Sequence, residues 1–186
     1  MNILTNTFPN EISDMIVEYI LDKKYWMHPV DVMVSGCMIV WNENMILSEY
    51  TADIAARFGY LDIVKFAHSK GCIFTTDAMN WAACYNHLPV VEFLYNHRKE
   101  GCTTDVMDLA AENGNLEIVK FLYENIKESH STEAFNRCSE MGHIEVAKYL
   151  YEKQKGYCNI DTAIKHAYKR CQNGILTWLI EMKESL

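Results

Sequence analysis

The feature that most constrains this chain is a pattern of small, leucine-like and aromatic residues that recurs five times. The small anchor residues lie 27, 28, 28 and 29 positions apart, at Ala55, Ala82, Ala110, Cys138 and Ala167. Six positions after the anchors come Leu61, Leu88, Leu116, Ile144 and Asn173. Eleven positions after them come Phe66, Phe93, Phe121, Tyr149 and Trp178. Because the offsets are constant while the spacing between copies varies, the chain is predicted to be a series of equal units joined by loops.

Each unit is predicted to contain two short helices joined by a tight turn. In the third copy the turn falls at Gly114, since glycine adopts a left-handed backbone at the least cost. The corresponding turn residues are Gly59, Asn86, Gly142 and Cys171. A helix of about ten residues with an extensive apolar surface is unstable alone in water, so the units must stack. The sequence therefore predicts an all-α helix-turn-helix solenoid of about five repeats over residues 49–186.

The segment LAAENGNLEIVKFLYEN, residues 109–125, resembles the ankyrin repeat, in which paired alanines precede a glycine and Leu-Glu-Ile-Val-Lys-x-Leu. The resemblance covers about residues 49–184. Copies start with Thr-Asp instead of the family's Thr-Pro-Leu-His, and their period is shorter than the family's usual length of about 33 residues. The shorter period implies a clipped or missing β-hairpin finger. This short form is similar to ankyrin arrays of large DNA viruses and some protists.

Residues 1–48 do not follow the repeat and are predicted to form a separate helical segment. One interpretation is an N-terminal cap, because the outer face of the first unit must be shielded from water. However, residues 8–20, FPNEISDMIVEYI, also resemble the opening of an F-box, an apolar residue followed by Pro-x-Glu-Ile and an amphipathic helix. The matching positions are Phe8, Pro9, Glu11, Ile12 and Ile16, with Trp41 in the second half of the motif. The two interpretations are compatible, and both stay open.

Composition narrows the classes of partner. The formal net charge is −8 and no basic patch is present, so we expect no nucleic acid partner, because phosphate binding needs clustered lysines and arginines. No apolar run approaches the length of a membrane span, and the N-terminus lacks the features of a signal peptide. The seven cysteines are therefore expected to be reduced, in the cytoplasm, which would be the host's if the protein is viral.

Catalysis and metal binding have little support in the sequence. Cys84 and His87, or Cys138 and His143, have spacings found in zinc sites, but neither pair has the second pair of ligands that such a site needs. No glycine-rich phosphate loop is present, and the polar residues recur with the repeat, which favours a scaffold over an active site. We expect no catalytic residue, no metal and no cofactor.

The candidate binding surface is a pair of positions between the small residues and the turn of each unit. These pairs are predicted to project toward the concave side, and they differ in every copy: Arg57 and Phe58, Cys84 and Tyr85, Glu112 and Asn113, Glu140 and Met141, Lys169 and Arg170. Three threonines at loop tips are predicted to flank the same groove: Thr76, Thr104 and Thr132. Large apolar side chains with no stacking duty are typical of the anchors that dominate binding at interfaces.

These observations favour a monomeric, non-catalytic scaffold that binds a protein partner through the concave surface. The F-box resemblance implies a finer version, a substrate adaptor whose N-terminal segment docks on the linker subunit of a cullin-type ubiquitin ligase. The repeats would then hold the target, a host protein if the chain is viral. The alternative is a structural or assembly protein that self-associates, or decorates a larger particle, through the exposed flank of the fifth copy.

Overall fold

The computed structural model describes residues 49–126 and 131–185, and within these ranges the chain forms ten α-helices and no strand. In chain order the helices are α1 Glu49–Arg57, α2 Leu61–Ser69, α3 Thr76–Cys84, α4 Leu88–His97, α5 Val106–Glu112, α6 Leu116–Asn125, α7 Glu133–Met141, α8 Ile144–Gln154, α9 Ile160–Lys169 and α10 Asn173–Glu184. Consecutive helices form five pairs, one for each predicted repeat. The all-α helix-turn-helix solenoid is thus confirmed.

The first helices of the repeats (α1, α3, α5, α7 and α9) form one layer, and the second helices (α2, α4, α6, α8 and α10) form another. All five anchor residues are fully buried in the first layer. Their small side chains let neighbouring first helices pack closely, whereas neighbouring second helices contact each other much less. Since the first helices are the more closely packed layer, we infer that the stack curves toward them. Their exposed side is called the inner face below.

The aromatic residues of the second helices join each repeat to the next. In each case a ring from one repeat packs edge to face against an aromatic residue of the next repeat. That residue lies eleven positions after the anchor of its own repeat. The ring centroids are 5.5 Å apart for His68 and Phe93, 5.5 Å for Tyr95 and Phe121, 6.0 Å for Tyr123 and Tyr149, and 6.3 Å for Tyr151 and Trp178. Edge-to-face pairs of this kind contribute about 0.5–1.5 kcal/mol beyond their area burial. Four of the five predicted aromatic positions, Phe93, Phe121, Tyr149 and Trp178, are therefore half-buried contacts between repeats.

The turn between the two helices has the predicted left-handed backbone in every repeat. Its φ angle is 74° at Gly59 and Gly114, 84° at Gly142, 64° at Asn86 and 55° at Cys171. The turn is also covered by the following repeat. His143 Nε2 lies 2.9 Å from the carbonyl oxygen of Glu112, and a Cβ added at Gly114 would lie 2.5 Å from His143 Nδ1. Glycine is thus required there for two reasons, the backbone angle and the close approach of the next unit.

A second connection between repeats uses a polar residue two positions before the anchor. Asp53 accepts hydrogen bonds from the Thr75 backbone N–H at 3.0 Å and from the Thr75 hydroxyl at 2.6 Å. In the next repeat Asn80 accepts from the Thr103 backbone N–H at 3.1 Å. Because its carboxylate is desolvated, the pKa of Asp53 is raised despite these bonds. A polar side chain in an otherwise apolar interface thereby fixes the loop that begins the following unit.

Candidate functional site

The predicted binding pairs lie where the first helices end, and every one of them reaches the surface of the inner face. Arg57, Cys84, Glu112, Met141 and Lys169 are the last residues of their helices. Three of the pairs contain an exposed large apolar side chain, with exposures of 38% for Phe58, 48% for Tyr85 and 43% for Met141. We call the ten residues of the five pairs the inner row.

Side-chain contacts link the inner row across all five repeats. Each step joins a row residue to a side chain of the next repeat: Arg57 Nη2 to Tyr85 Oη at 3.0 Å, Cys84 Sγ to Asn113 Nδ2 at 3.4 Å, Glu112 Oε2 to Arg137 Nη1 at 2.6 Å, and Glu140 Oε1 to Arg170 Nε at 2.9 Å. Three of these contacts join two row residues, and the contact of Glu112 is with Arg137, one position before the next anchor. The predicted pairs and this neighbouring side chain thus form a connected surface over the five repeats.

The N-terminal end of the row is an aromatic cluster around a cation. The Arg57 guanidinium lies 5.1 Å from the ring centroid of Tyr85, 5.5 Å from that of Trp81 and 5.8 Å from that of Phe58. These distances are in the range of cation–π attraction. We call these four residues the Arg57 cluster.

The C-terminal half of the row contains two ion pairs between neighbouring repeats. Glu140 accepts from Arg170 and lies 3.1 Å from His166 Nδ1, and these hydrogen bonds lower the pKa of its carboxyl group. The hydrogen bond to Glu112 raises the pKa of Arg137 above its ordinary value. Arg137 and Glu140 therefore stay ionised at neutral pH, each beside a group of opposite charge. The last pair of the row also contributes Lys169, which is exposed.

The three threonines lie at the other end of the first helices. Thr76 begins α3, Thr132 immediately precedes α7, and Thr104 lies in the turn before α5. A helix of nine residues, such as α3, is about 13 Å long. The threonines are therefore separated from the inner row by roughly the length of a first helix, and the structure does not bring the two sets together.

One set of inner-face residues was missed by the sequence analysis. It occupies the position just before each anchor, which holds Ile54, Trp81, Leu109, Arg137 and His166, all half-buried. Trp81 contacts Arg57, Arg137 pairs with Glu112, and His166 contacts Glu140. The sequence could have identified this position, because its residue differs in every copy, as the residues of the inner row do.

The remaining predictions concern metal ligands, membrane spans and the F-box-like positions. In residues 49–126 and 131–185 no three histidine, cysteine or acidic side chains converge as metal ligands would. None of the helices described there is long and apolar enough to cross a membrane. The F-box-like positions Phe8, Pro9, Glu11, Ile12, Ile16 and Trp41 lie outside the described residues.

The stacked helix pairs define this protein as a helical-repeat solenoid, and the sequence comparison identifies the type of repeat. The family model described as ankyrin repeats (3 copies) matches residues 52–133 and 107–185, which together span well over half of the chain. The chain therefore belongs to the ankyrin-repeat family. The search of curated proteins gives no match.

Proposed function

We propose that this protein is a non-catalytic scaffold that binds a partner protein along the inner row. The ankyrin-repeat family supports a role in protein–protein interaction. The observation that carries the more specific proposal is the continuous inner row, where side chains linked from repeat to repeat differ in every copy. A rigid fold with variable side chains on one face is suited to recognising one surface among many.

The energetic argument concerns Phe58, Tyr85 and Met141. Each keeps more than a third of its surface exposed, and all three lie in the inner row. Aromatic anchors held on a rigid support lose little entropy on binding and account for a large part of the affinity of many interfaces. A partner that covered these three side chains would gain most of its binding energy from them.

The finer version of this proposal divides the chain into two parts. Residues 1–48 would recruit the linker subunit of a cullin-type ubiquitin ligase, and residues 49–186 would hold the target. Its support is the F-box resemblance at Pro9 and Ile12. The test is a pull-down from eukaryotic lysate with the wild-type chain and a Pro9→Ala/Ile12→Ala double variant. Ligase subunits should be captured by the wild type alone, and their absence from the wild-type capture would refute the adaptor.

Binding to the inner row is tested by site-specific photocrosslinking. A photoreactive phenylalanine analogue would replace either Tyr85 on the inner face or Tyr95 on α4, the second helix of the same repeat. The two tyrosines are comparably exposed, at 48% and 40%. If the proposal is correct, a partner protein crosslinks to the chain from position 85 and does not crosslink from position 95. Crosslinks from position 95 alone would place the binding surface on the second helices.

A further inference from the structure

The strongest remaining observation is that the charge of Arg57 has no carboxylate partner in the part of the chain that the structure describes. The chain contains four arginines. Three of them form ion pairs with carboxylates, Arg98 with Glu100, Arg137 with Glu112 and Arg170 with Glu140. Among the residues that the structure describes, no carboxylate lies within ion-pair distance of Arg57. An arginine without a carboxylate partner is notable in a protein with a formal charge of −8.

Arg57 is also held in a defined position. Its guanidinium packs near three aromatic rings, and Nη2 donates to the Tyr85 hydroxyl at 3.0 Å. A guanidinium carries five N–H donors, and within the described residues the bond to Tyr85 occupies one of them, so several remain for a ligand. Because the packing already restricts the side chain, little further conformational entropy is lost when an acceptor binds.

We propose that the Arg57 cluster is a subsite for an aspartate or glutamate side chain of a bound peptide segment, with an apolar side chain beside it. The carboxylate would accept two parallel hydrogen bonds from the guanidinium, the geometry that arginine favours. The neighbouring apolar side chain would cover the exposed surfaces of Phe58 and Tyr85. The inference rests on the proposed function and adds the chemistry of the partner.

A side-chain carboxylate and a C-terminal carboxylate would offer Arg57 the same two oxygens. The test below therefore uses peptides without a free C-terminus, so that only a side-chain carboxylate is present. The opposite class of ligand, a cationic side chain inserted among the rings, would have to displace Arg57 from all three of its aromatic contacts.

The test uses peptide mixtures tethered by their C-termini, so that no free terminal carboxylate is present. Each mixture contains a fixed acidic, amide or basic residue next to a fixed apolar residue, with all other positions random. The full-length wild-type chain should bind the acidic mixtures at least about 10-fold better than the matched amide mixtures, since a hydrogen bond to a charged group is worth a factor of this order. This preference should decrease as salt is added.

Three variants separate the possible explanations. Arg57→Gln should lose the preference for acidic mixtures, and Arg57→Lys should keep only part of it, because lysine lacks the planar fork. Lys65→Gln removes the same charge from an exposed position on α2, the second helix of the same repeat, and should behave as the wild type. Thermal unfolding of each variant checks that a loss of binding is not a loss of fold.

The remaining outcomes would overturn the inference. If the wild type binds acidic and amide mixtures equally, or prefers basic ones, the Arg57 cluster is not a carboxylate subsite. In that case a loss of peptide binding in Tyr85→Ala would still support the proposed function. If peptide binding is indifferent to both Tyr85→Ala and Arg57→Gln, the inner row is not the binding surface and both proposals fail.

Discussion

In the interfaces between repeats the same kinds of side chain recur from copy to copy, whereas along the inner row the side chain changes at nearly every step. The interfaces contain buried small anchors, left-handed turns and edge-to-face aromatic pairs. The inner row changes from an aromatic cluster around Arg57 to the internally paired charges of Glu112 and Glu140. Repetition thus accounts for the fold, and we attribute the variation to recognition. This comparison predicts that substitutions in the two regions affect different properties.

The largest effect on stability is expected from a fully buried stacking residue. Leu122→Ala should lower the free energy of unfolding by about 2–5 kcal/mol, because it leaves a cavity in the core between repeats. Leu116→Ala is the matched control, since Leu116 is only half-buried at the start of α6 and should cost clearly less. Denaturant unfolding followed by circular dichroism measures both. Equal losses would contradict the structural distinction between the two leucines.

A smaller effect is expected from the turn that the next repeat covers. Gly114→Ala should destabilise the chain by more than the roughly 1–2 kcal/mol that a left-handed backbone costs alanine, because its Cβ would also meet His143. Gly71→Ala has a similar φ of 71° but open space around the added Cβ, so it should show the backbone cost alone. The difference between their unfolding free energies measures the contact between repeats. No difference would mean that His143 moves aside freely.

A substitution in the fifth repeat is expected to raise the stability of the protein. Cys171 is exposed and has a φ of 55°, at the position where three other repeats have glycine. Cys171→Gly should relieve about 1–2 kcal/mol of backbone strain and lose about 0.5–1 kcal/mol to the greater freedom of the unfolded chain. The expected result is a net gain of about 0.5–1 kcal/mol, measured as a higher unfolding midpoint. Cys171→Ala keeps the strain and should show no such gain.

Much of the fold could be predicted from the sequence because its determinants are local and repeated. The turn residues Gly59, Asn86 and Gly142 were identified from their position after the small pair, and their backbone angles confirm the prediction. The degree of burial was harder to predict, because the leucine-like residue that opens each second helix lies at the edge of the core and is half-buried in most copies.

The contacts on the inner face could not be predicted in the same way. Arg57 and Tyr85 are 28 residues apart, and Arg137 and Glu112 are 25 apart, so their contact depends on how neighbouring repeats align. The role of Trp81 depends on the same alignment. The sequence could identify which positions vary, but the pairing of their charges required the packed structure.

The most direct test of the central claim compares Tyr85→Ala with Tyr95→Ala in both stability and partner binding. Tyr85 lies on the inner row, whereas Tyr95 packs against Phe121 and donates to the carbonyl oxygen of Asn125 in the next repeat. We expect Tyr85→Ala to unfold at nearly the wild-type midpoint while losing most of its partner binding. Tyr95→Ala should unfold earlier and, at temperatures where it remains folded, bind the partner as the wild type does. If Tyr85→Ala keeps its partner while Tyr95→Ala loses it, the partner binds to the layer of second helices and the account is wrong.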